Sequence, residues 1–312
     1  MRIDFTKCHG SGNDFALVDA RAIALDDRDW ALVARLLADR AGPVGADGLL
    51  LLTAGEGQAV FGMRIFNADG TEPETCLNGL RCVARAGLEA LRRNQAVVQL
   101  KTSHAEVVRD ADLAPGVFTV RERAGPATLE VAGWPLTGER TTIVDRPIAR
   151  LSPDVRFTAV AIPNPHLIAF VARVEEALLV QLGSACEAAP DWLPNRANVS
   201  FVEVRGPDAL FVRTFERGVG LTDACGSAMA AATFAAGLTG RVAFGTEVTV
   251  RNPGGFVRAT AEADGMATLS GNATFEWAGR AEVDFAACRI GELTVGRRFD
   301  AEVAAWDSLA RA

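Results

Sequence analysis

Two cysteines, Cys76 and Cys225, lie nearly half a chain apart, and each stands directly before a segment with the apolar spacing of a helix. Both follow loops rich in glycine, asparagine, aspartate or threonine, which is the composition of turns rather than of a core. A helix N-terminus offers unpaired backbone N–H groups and the positive end of the helix dipole. Because both features favour a thiolate and bind anions, the pattern predicts two reactive thiols that act on one anionic substrate.

The reaction that two such thiols support is inversion of a carbon stereocentre. One cysteine as thiolate removes a proton from an sp3 carbon, and the other as thiol returns a proton to the opposite face. The carbanion needs electrostatic support, because a Cα–H bond of an amino acid is a very weak acid. Backbone N–H groups around Leu77, Asn78, Gly226 and Ser227 are predicted to bind the substrate carboxylate as charge moves into it.

The alternative interpretation of any cysteine is packing, because cysteine is among the residue types most often buried. The loop-rich surroundings of Cys76 and Cys225 favour catalysis there. His9 and His166, which lie next to glycine and proline, are interpreted as structural residues. Packing is also the role predicted for the other four cysteines, Cys8, Cys82, Cys186 and Cys288.

The composition is that of an ordinary globular chain, with 49% hydrophobic and 23% charged residues in 312 positions. A formal net charge of −7 argues against binding to nucleic acid or to an anionic membrane surface. No apolar run is long enough to span a bilayer, the start of the chain lacks a signal-peptide core, and the six cysteines do not form a secreted disulfide framework. We therefore predict a cytoplasmic protein with a small-molecule partner, compatible with a homodimer.

No cofactor or metal is predicted. The only lysines are Lys7 and Lys101, and neither lies in a glycine-rich loop of the kind that binds pyridoxal phosphate. The segment 10–15 lacks the third glycine and the following helix of a dinucleotide site. Cys76 and Cys82 are six positions apart on a predicted helix, so they face different directions and do not form a metal pair.

The second half of the chain loosely repeats the plan of the first half, with strands, a helix headed by a cysteine, and further strands. The helix after Cys225 is almost all alanine, so we expect it to be buried between other elements. A helix is also predicted over 27–37. Strands are predicted at both ends of 2–18 around a glycine-rich turn, and over 48–53, 63–66, 96–100, 105–109, 117–120, 158–162, 167–171, 199–204, 209–214, 247–251, 257–262 and 266–270.

Several motifs in this order resemble those of the diaminopimelate epimerase family over roughly residues 2–284. The paired cysteine motifs together with the asparagine motifs make the resemblance specific. The matching segments are Lys7 to Phe15, Asn67 to Gly70, Cys76 to Cys82, Asn164-Pro165-His166, Asn198, Glu216-Arg217-Gly218 and Ala224-Cys225-Gly226.

The resemblance implies a pyridoxal-independent enzyme that interconverts LL- and meso-diaminopimelate in lysine and peptidoglycan synthesis. Cys76 and Cys225 take the proton acceptor and donor positions, and backbone groups of Asn78, Gly226 and Ser227 cradle the reacting carboxylate. The implied fold is α+β, with two pseudo-symmetric domains, each a curved, mainly antiparallel sheet around a central helix, and the site in the cleft between them. The family's substrate-binding positions fall on Asn13, Asn67, Asn164, Asn198, Glu216 and Arg217.

The domains are predicted over 1–125, completed by 271–284, and over 126–270, with a C-terminal extension at 285–312. Within the extension, the apolar residues Val303, Trp306 and Leu309 suggest a short amphipathic helix packed on the surface.

Three residues depart from the family pattern and motivate other hypotheses. Leu77 follows the first cysteine where glycine is usual, which strains leucine if that position requires a positive φ. Pro163 replaces a glycine, and Leu221 replaces a glutamate. One alternative is a related pyridoxal-independent racemase or epimerase with another amino-acid substrate, and a second is a non-catalytic amino-acid-binding or thiol-sensing protein.

Overall fold

The structure is a computed structural model that describes residues 1–74, 76–131, 136 and 141–311. Thr75, the residue before Cys76 in the sequence, lies outside the described residues. The elements up to residue 124 are β1 (Arg2–Gly10), β2 (Asn13–Asp19), α1 (Asp27–Ala38), β3 (Gly48–Ala54), β4 (Phe61–Asn67), α2 (Leu77–Leu91), β5 (Gln95–Gln99), β6 (His104–Arg109) and β7 (Thr119–Ala124). They are followed by β8 (Arg146–Ile148), β9 (Ser152–Ala161), β10 (Pro165–Phe170), α3 (Glu176–Glu187), β11 (Asn198–Gly206), β12 (Ala209–Glu216), β13 (Gly220–Thr222) and α4 (Gly226–Leu238). The last elements are β14 (Val248–Asn252), β15 (Gly255–Ala261), β16 (Ala267–Asn272), β17 (Thr274–Asp284), β18 (Arg289–Arg298) and α5 (Asp300–Ala310).

The chain divides into two compact units. Unit 1 comprises Met1–Glu122 and Ser270–Ala312, and unit 2 comprises Arg123–Leu269. The fold class is therefore the predicted α+β, with many strands and few helices in each unit. Among the described residues, no helix combines the length and apolar character needed to cross a membrane.

Strand pairing reveals the duplication that the sequence showed only weakly. In unit 1, successive strands from β1 to β6 pair alternately. The pairs β1–β2, β3–β4 and β5–β6 are antiparallel, and the pairs β2–β3 and β4–β5 are parallel. In unit 2, the pairs β9–β10, β10–β11, β11–β12, β12–β14 and β14–β15 repeat that pattern. In both units the helix that follows a cysteine, α2 or α4, connects the fourth and fifth strands of the series. The two cysteines therefore occupy equivalent points of a repeated topology.

The two cysteine-headed helices are the central elements of their units. α2 contacts the strands β1 to β6, and its residues from Leu77 to Arg85 are all buried. α4 contacts β9 to β12, β14 and β15, and it is buried from Gly226 to Ala236, as predicted for an alanine helix with little polar face. A helix surrounded in this way cannot shift without disturbing the strands around it, so both helix starts are held rigidly.

Each unit has a second helix that covers another hydrophobic core. In unit 1, α1 packs Trp30, Val33 and Leu37 against residues of β1, β2, β3 and β17. In unit 2, α3 packs Leu179 and Leu182 against residues of β9 to β12.

The sequence analysis missed the helix α3 and the strands β8, β13, β17 and β18. α3 begins after Glu175, which makes no side-chain capping bond, so the usual start signal is absent. β17 begins at Thr274 and pairs with β1 over most of its length, a contact between the two ends of the chain that no local pattern reveals. The segment interpreted as an extension contains β18, which pairs with β17, and α5, whose Trp306 is buried.

Candidate active site

Cys76 is the N-cap residue of α2. Its backbone is extended, with φ −150° and ψ 110°, and its carbonyl accepts the first helical hydrogen bond, from Leu80 N at 2.8 Å. The Cys76 Sγ accepts a hydrogen bond from the Gly79 backbone N–H at 3.4 Å. The sulfur therefore takes the place of a capping oxygen at the positive end of the helix, where a thiolate is favoured. Cys76 is half-buried, so it is accessible to a ligand.

The side chain of Asn13 lies beside this sulfur. Asn13 Oδ1 is 3.6 Å from Cys76 Sγ and 3.4 Å from Asn78 Nδ2. Asn13 Nδ2 donates to Asp47 Oδ2 at 2.6 Å. Because a carboxylate only accepts hydrogen bonds, Asp47 fixes the orientation of the amide and turns its oxygen toward the thiol. We call Cys76, Asn13, Asn78 and Asp47 the Cys76 site.

A buried arginine of α2, Arg81, supports the first turn of that helix. Arg81 has no exposed surface, and it donates to Asn78 Oδ1 at 2.8 Å and to Ser11 Oγ at 3.1 Å. Its charge is paired with Glu122 at 2.8 Å. Burial raises the pKa of Glu122 to about 7, against the opposing effect of Arg81. Arg81 thus holds Asn78 in place through a contact that the sequence analysis did not predict.

The structure resolves the question of strain at Leu77. Leu77 is the first residue of α2, and it is not among the described non-glycine residues with positive φ. Leucine at this position therefore carries no left-handed backbone strain. Asn67, another predicted binding residue, ends β4 and donates from Nδ2 to Thr71 Oγ1 at 2.9 Å, so it orders the loop that leads to Cys76.

Cys225 occupies the equivalent position in unit 2. It is the N-cap of α4, with φ −135° and ψ 105°, and its carbonyl accepts from Met229 N at 3.1 Å. Burial raises the pKa of the Cys225 thiol well above its ordinary value, and the negative charge of Glu216 raises this pKa further. The Ser227 hydroxyl and the Ala228 backbone N–H oppose these effects because they favour the thiolate. Burial and the charge of Glu216 therefore favour the protonated thiol at Cys225.

A buried histidine lies next to this thiol. His166 Nε2 is 3.1 Å from Ser227 Oγ and 3.2 Å from Asn164 Oδ1, and Ser227 Oγ is 3.5 Å from Cys225 Sγ. Burial, together with the positive charge of Arg217, lowers the pKa of His166 to about 3, so the ring is neutral. The ring fixes Ser227 beside the sulfur. Asn164 and His166 are two positions apart, as expected of side chains on one face of an extended segment.

The loop before Cys225 is held by polar contacts within unit 2. Asn198 Oδ1 accepts from the Arg217 backbone N–H at 2.8 Å, and the Thr222 hydroxyl donates to Glu216 Oε1 at 2.6 Å. The Arg217 side chain is exposed, and one of its nitrogens donates to Asn195 O at 3.0 Å. We call the set Cys225, Ser227, His166, Asn164, Asn198, Glu216, Arg217 and Gly226 the Cys225 site.

The structure thus places most of the predicted site residues around one of the two thiols, each within its own unit. Sequence reasoning missed the contributions of Asp47 and Arg81. It interpreted His166 as structural, but it did not predict the contact of His166 with Ser227. The pattern Asn164-Pro165-His166 carried a signal for His166, because alternate residues of a strand share a face. The other cysteines divide: Cys8, Cys82 and Cys186 are buried as predicted, whereas Cys288 is exposed, so the packing interpretation is wrong for it.

Solved structures share this fold. A predicted epimerase from Pseudomonas aeruginosa has a TM-score of 0.67 at 18% identity, covering 88% of this chain and 98% of that chain. A hydroxyproline epimerase from Agrobacterium vitis has a TM-score of 0.63 at 14% identity, covering 100% of this chain and 98% of that chain. The fold is therefore the one found in these epimerase structures.

Sequence comparison identifies the family. A family profile for diaminopimelate epimerase matches residues 5–128 and 158–276. The diaminopimelate epimerase of Clostridium acetobutylicum is 37% identical over 290 residues, which is 91% of this chain and 87% of that protein. The diaminopimelate epimerase of Lactiplantibacillus plantarum is 40% identical over 295 residues, which is 88% of each. The chain belongs to the diaminopimelate epimerase family, and hence to the isomerases.

Proposed function

We propose that this protein is a cofactor-independent epimerase that interconverts LL- and meso-2,6-diaminopimelate, in lysine and peptidoglycan synthesis. The observation that carries the proposal is the duplicated placement of Cys76 and Cys225. Each is the N-cap of the central helix of its unit, and the two backbones have nearly the same conformation. Members of the family that match most of this chain carry the same activity in their names.

The proposed reaction moves one proton off a carbon and one proton onto it. One cysteine, as thiolate, takes the Cα proton, and the electron pair of the broken C–H bond moves into the carboxylate group. The other cysteine, as thiol, gives its proton to the opposite face of Cα, and the electron pair returns to form the new C–H bond. Each turnover exchanges the protonation states of Cys76 and Cys225, so the enzyme serves both directions of the reaction.

The side chains around each thiol suit this exchange. Glu216 is a negative charge next to Cys225, so it favours the protonated form, in which this cysteine acts as the proton donor. The neutral His166 orients Ser227 against Cys225 without placing a further charge in the site. At the other thiol, the Gly79 N–H stabilises the thiolate.

We infer that the substrate is held by the polar residues of the two sites. The backbone N–H groups at the starts of α2 and α4, at Asn78, Gly226 and Ser227, are suited to a carboxylate that gains charge during the reaction. Arg217, whose side chain is exposed, is suited to the distal carboxylate. The amides proposed to bind the ammonium and carboxylate groups are those of Asn13, Asn67, Asn164 and Asn198.

Other parts of this proposal concern the whole protein. Unit 1 and unit 2 act as two domains that supply one thiol each. We propose that the protein works in the cytoplasm without pyridoxal phosphate or a metal ion, and that it forms a homodimer.

The test is incubation with LL-diaminopimelate in D2O. We expect meso product with deuterium at the inverted carbon. The single variants Cys76→Ala and Cys225→Ala are each expected to lower turnover by about 100- to 10,000-fold, as for loss of a general acid or base. Cys8→Ala, at a buried cysteine outside both sites, is the control and is expected to keep turnover.

Two results would contradict the proposal in different ways. Isotope exchange with another amino acid, but none with diaminopimelate, would keep the reaction and replace the substrate; Pro163 and Leu221 motivate including other amino acids in the assay. Full activity of Cys76→Ala would remove the two-thiol mechanism altogether.

A further inference from the structure

The last strand and helix of the chain lie beyond the family match. That match ends at residue 276, whereas β18 spans Arg289–Arg298 and α5 spans Asp300–Ala310. β18 pairs antiparallel with β17, and Phe299 N donates to Glu276 O at 2.9 Å, which closes the segment onto unit 1. The extension is therefore an integral part of unit 1 that the family profile does not include.

Helix α5 contacts the cysteine-headed helix α2 through a partly buried ion pair. Glu302 lies against Arg85, a residue of α2 with only 7% of its side chain exposed, and Glu302 Oε2 accepts from Arg85 Nη2 at 3.0 Å. Glu302 Oε1 also accepts from the Phe275 backbone N–H at 3.0 Å. Arg85 in turn donates to Ala273 O at 2.7 Å and lies 3.8 Å from the centre of the Phe275 ring. These contacts tie α5, α2 and β17 together.

The same helix contacts His9, which lies in β1 shortly before the turn that leads to Asn13. The Trp306 ring is only 3% exposed, and its centre lies 5.8 Å from the centre of the His9 ring. His9 Nδ1 accepts a hydrogen bond from Gly12 N at 3.3 Å, so the His9 ring stabilises the turn between β1 and β2. That turn contains two successive residues with positive φ, Ser11 at 52° and Gly12 at 82°. A non-glycine residue in this conformation costs free energy and needs support from its surroundings.

Asn13 follows this turn directly, and its Oδ1 is the atom 3.6 Å from Cys76 Sγ. The geometry of Asn13 against the thiol therefore depends on several supports, among them the hydrogen bond from Ser11 N to Asn272 Oδ1 at 2.7 Å. Asp47 fixes the amide on the solvent side, and the His9 ring, packed on Trp306, fixes the backbone on the buried side.

We propose that helix α5 is a positioning element of the Cys76 site, with Trp306 and Glu302 as positioning residues. Trp306 holds His9 and hence the turn that sets Asn13, and Glu302 holds Arg85 and hence the helix that begins at Cys76. Neither residue touches a reacting atom. The effect on turnover rests on the proposed function, whereas the effect on the thiol itself does not.

The test is the rate at which iodoacetamide alkylates each cysteine, followed by mass spectrometry of the Cys76 and Cys225 peptides between pH 6 and 10 in the full-length protein. An S–H group donates weakly to the Asn13 oxygen, and this contact favours the neutral thiol. In Trp306→Ala we expect Cys76 to be alkylated faster and its pH midpoint to fall, because the contact is loosened and the sulfur more exposed. The Cys225 peptide is the internal control and is expected to be unchanged.

Two further variants separate positioning from general loss of stability. Trp306→Phe keeps an aromatic ring against His9 and is expected to restore most of the wild-type profile. Leu309→Ala removes apolar surface from the same helix, and we expect it to leave the Cys76 profile as it is. In the epimerase assay, kcat/KM is expected to fall by about 10- to 100-fold in Trp306→Ala, which is typical of a small misplacement of a catalytic group.

An unchanged Cys76 profile in Trp306→Ala would overturn the proposal, and so would an equal change at both cysteines. If Trp306→Ala does not fold, the alkylation profiles of Cys76 and Cys225 are measured in Glu302→Gln instead. This substitution keeps the shape of the side chain and removes its charge. Absence of diaminopimelate turnover in the wild type would refute the proposed function alone, because alkylation needs no substrate.

Discussion

At the scale of single residues, the amide of Asn13 shows how a surface carboxylate can control a site. Asn13 has one donor group and one acceptor, and rotation by half a turn exchanges them. Asp47 removes that freedom because it accepts only, and Arg40 holds Asp47 through an ion pair of 2.7 Å. Asp47 therefore determines that the oxygen of the Asn13 amide, rather than its nitrogen, faces Cys76. Asp47 itself does not touch the sulfur in any described contact.

We predict that Asp47→Ala raises the KM for diaminopimelate by about 10-fold, corresponding to the loss of one charge-assisted hydrogen bond that orders a binding group. The measurement is steady-state kinetics in both directions. Asp19→Ala is the matched control, because Asp19 is also exposed and paired with an arginine in unit 1 but lies outside the Cys76 site. Equal KM values for wild type and Asp47→Ala would show that Asn13 is ordered by other contacts.

At the scale of elements, the close approach of β1 to the start of α2 requires a glycine. A Cβ atom at Gly10 would lie 2.6 Å from Asn78 O, which is backbone, and 3.0 Å from Arg81 Nη2. The helix carbonyl cannot move away unless the first turn of α2 moves with it. Gly10 therefore sets the distance between the strand that leads to Asn13 and the helix that begins at Cys76.

We predict that Gly10→Ala lowers the free energy of unfolding by about 1–3 kcal/mol, as for overpacking of a well-packed core, and lowers turnover as well. Urea denaturation and the epimerase assay measure the two effects. Gly206→Ala is the control, since a Cβ there meets its nearest neighbour, the Ala209 Cβ, at 3.6 Å, an ordinary contact. Wild-type stability in Gly10→Ala would mean that α2 can shift at little cost.

At the scale of the whole molecule, two buried histidines make stability depend on pH. Burial, together with the charge of Arg217, lowers the pKa of His166 to about 3. Burial also lowers the pKa of His9 to about 4, although Asp14 and Asp307 partly oppose this shift. An unfolded histidine binds its proton near pH 6.5, so between that pH and the folded pKa values the unfolded chain binds more protons. The stabilisation from the neutral rings is therefore complete above pH 6.5 and is lost as the pH falls toward 4 and then 3.

We predict that each of these histidines lowers the free energy of unfolding by about 2 kcal/mol when the pH falls from 8 to 5. The measurement is the free energy of unfolding in urea as a function of pH. In His166→Gln the acid-side slope is expected to become shallower, whatever the change in stability at pH 8. His104→Gln, at an exposed histidine, is the control and should retain the wild-type slope. The same slope in His166→Gln and in wild type would contradict this account.

The repeated topology also belongs to the whole-molecule scale. Both units use one order of parallel and antiparallel pairs and place a cysteine before the same helix of that order. The sequence halves share little beyond the cysteines, because many apolar residues satisfy the same strand. The two halves therefore share their order of strand pairs although they share few residues.

What the sequence determined by itself was the local chemistry: the cysteines as helix caps, the buried alanine helix α4, and most strands. Each of these depends on neighbours within a few residues, through capping, periodicity and turn composition. Only the tertiary structure decided that Asp47 orients Asn13, that His166 lies against Ser227, and that Trp306 packs on His9. These contacts join residues 34, 61 and 297 positions apart, and folding alone brings such distant side chains together.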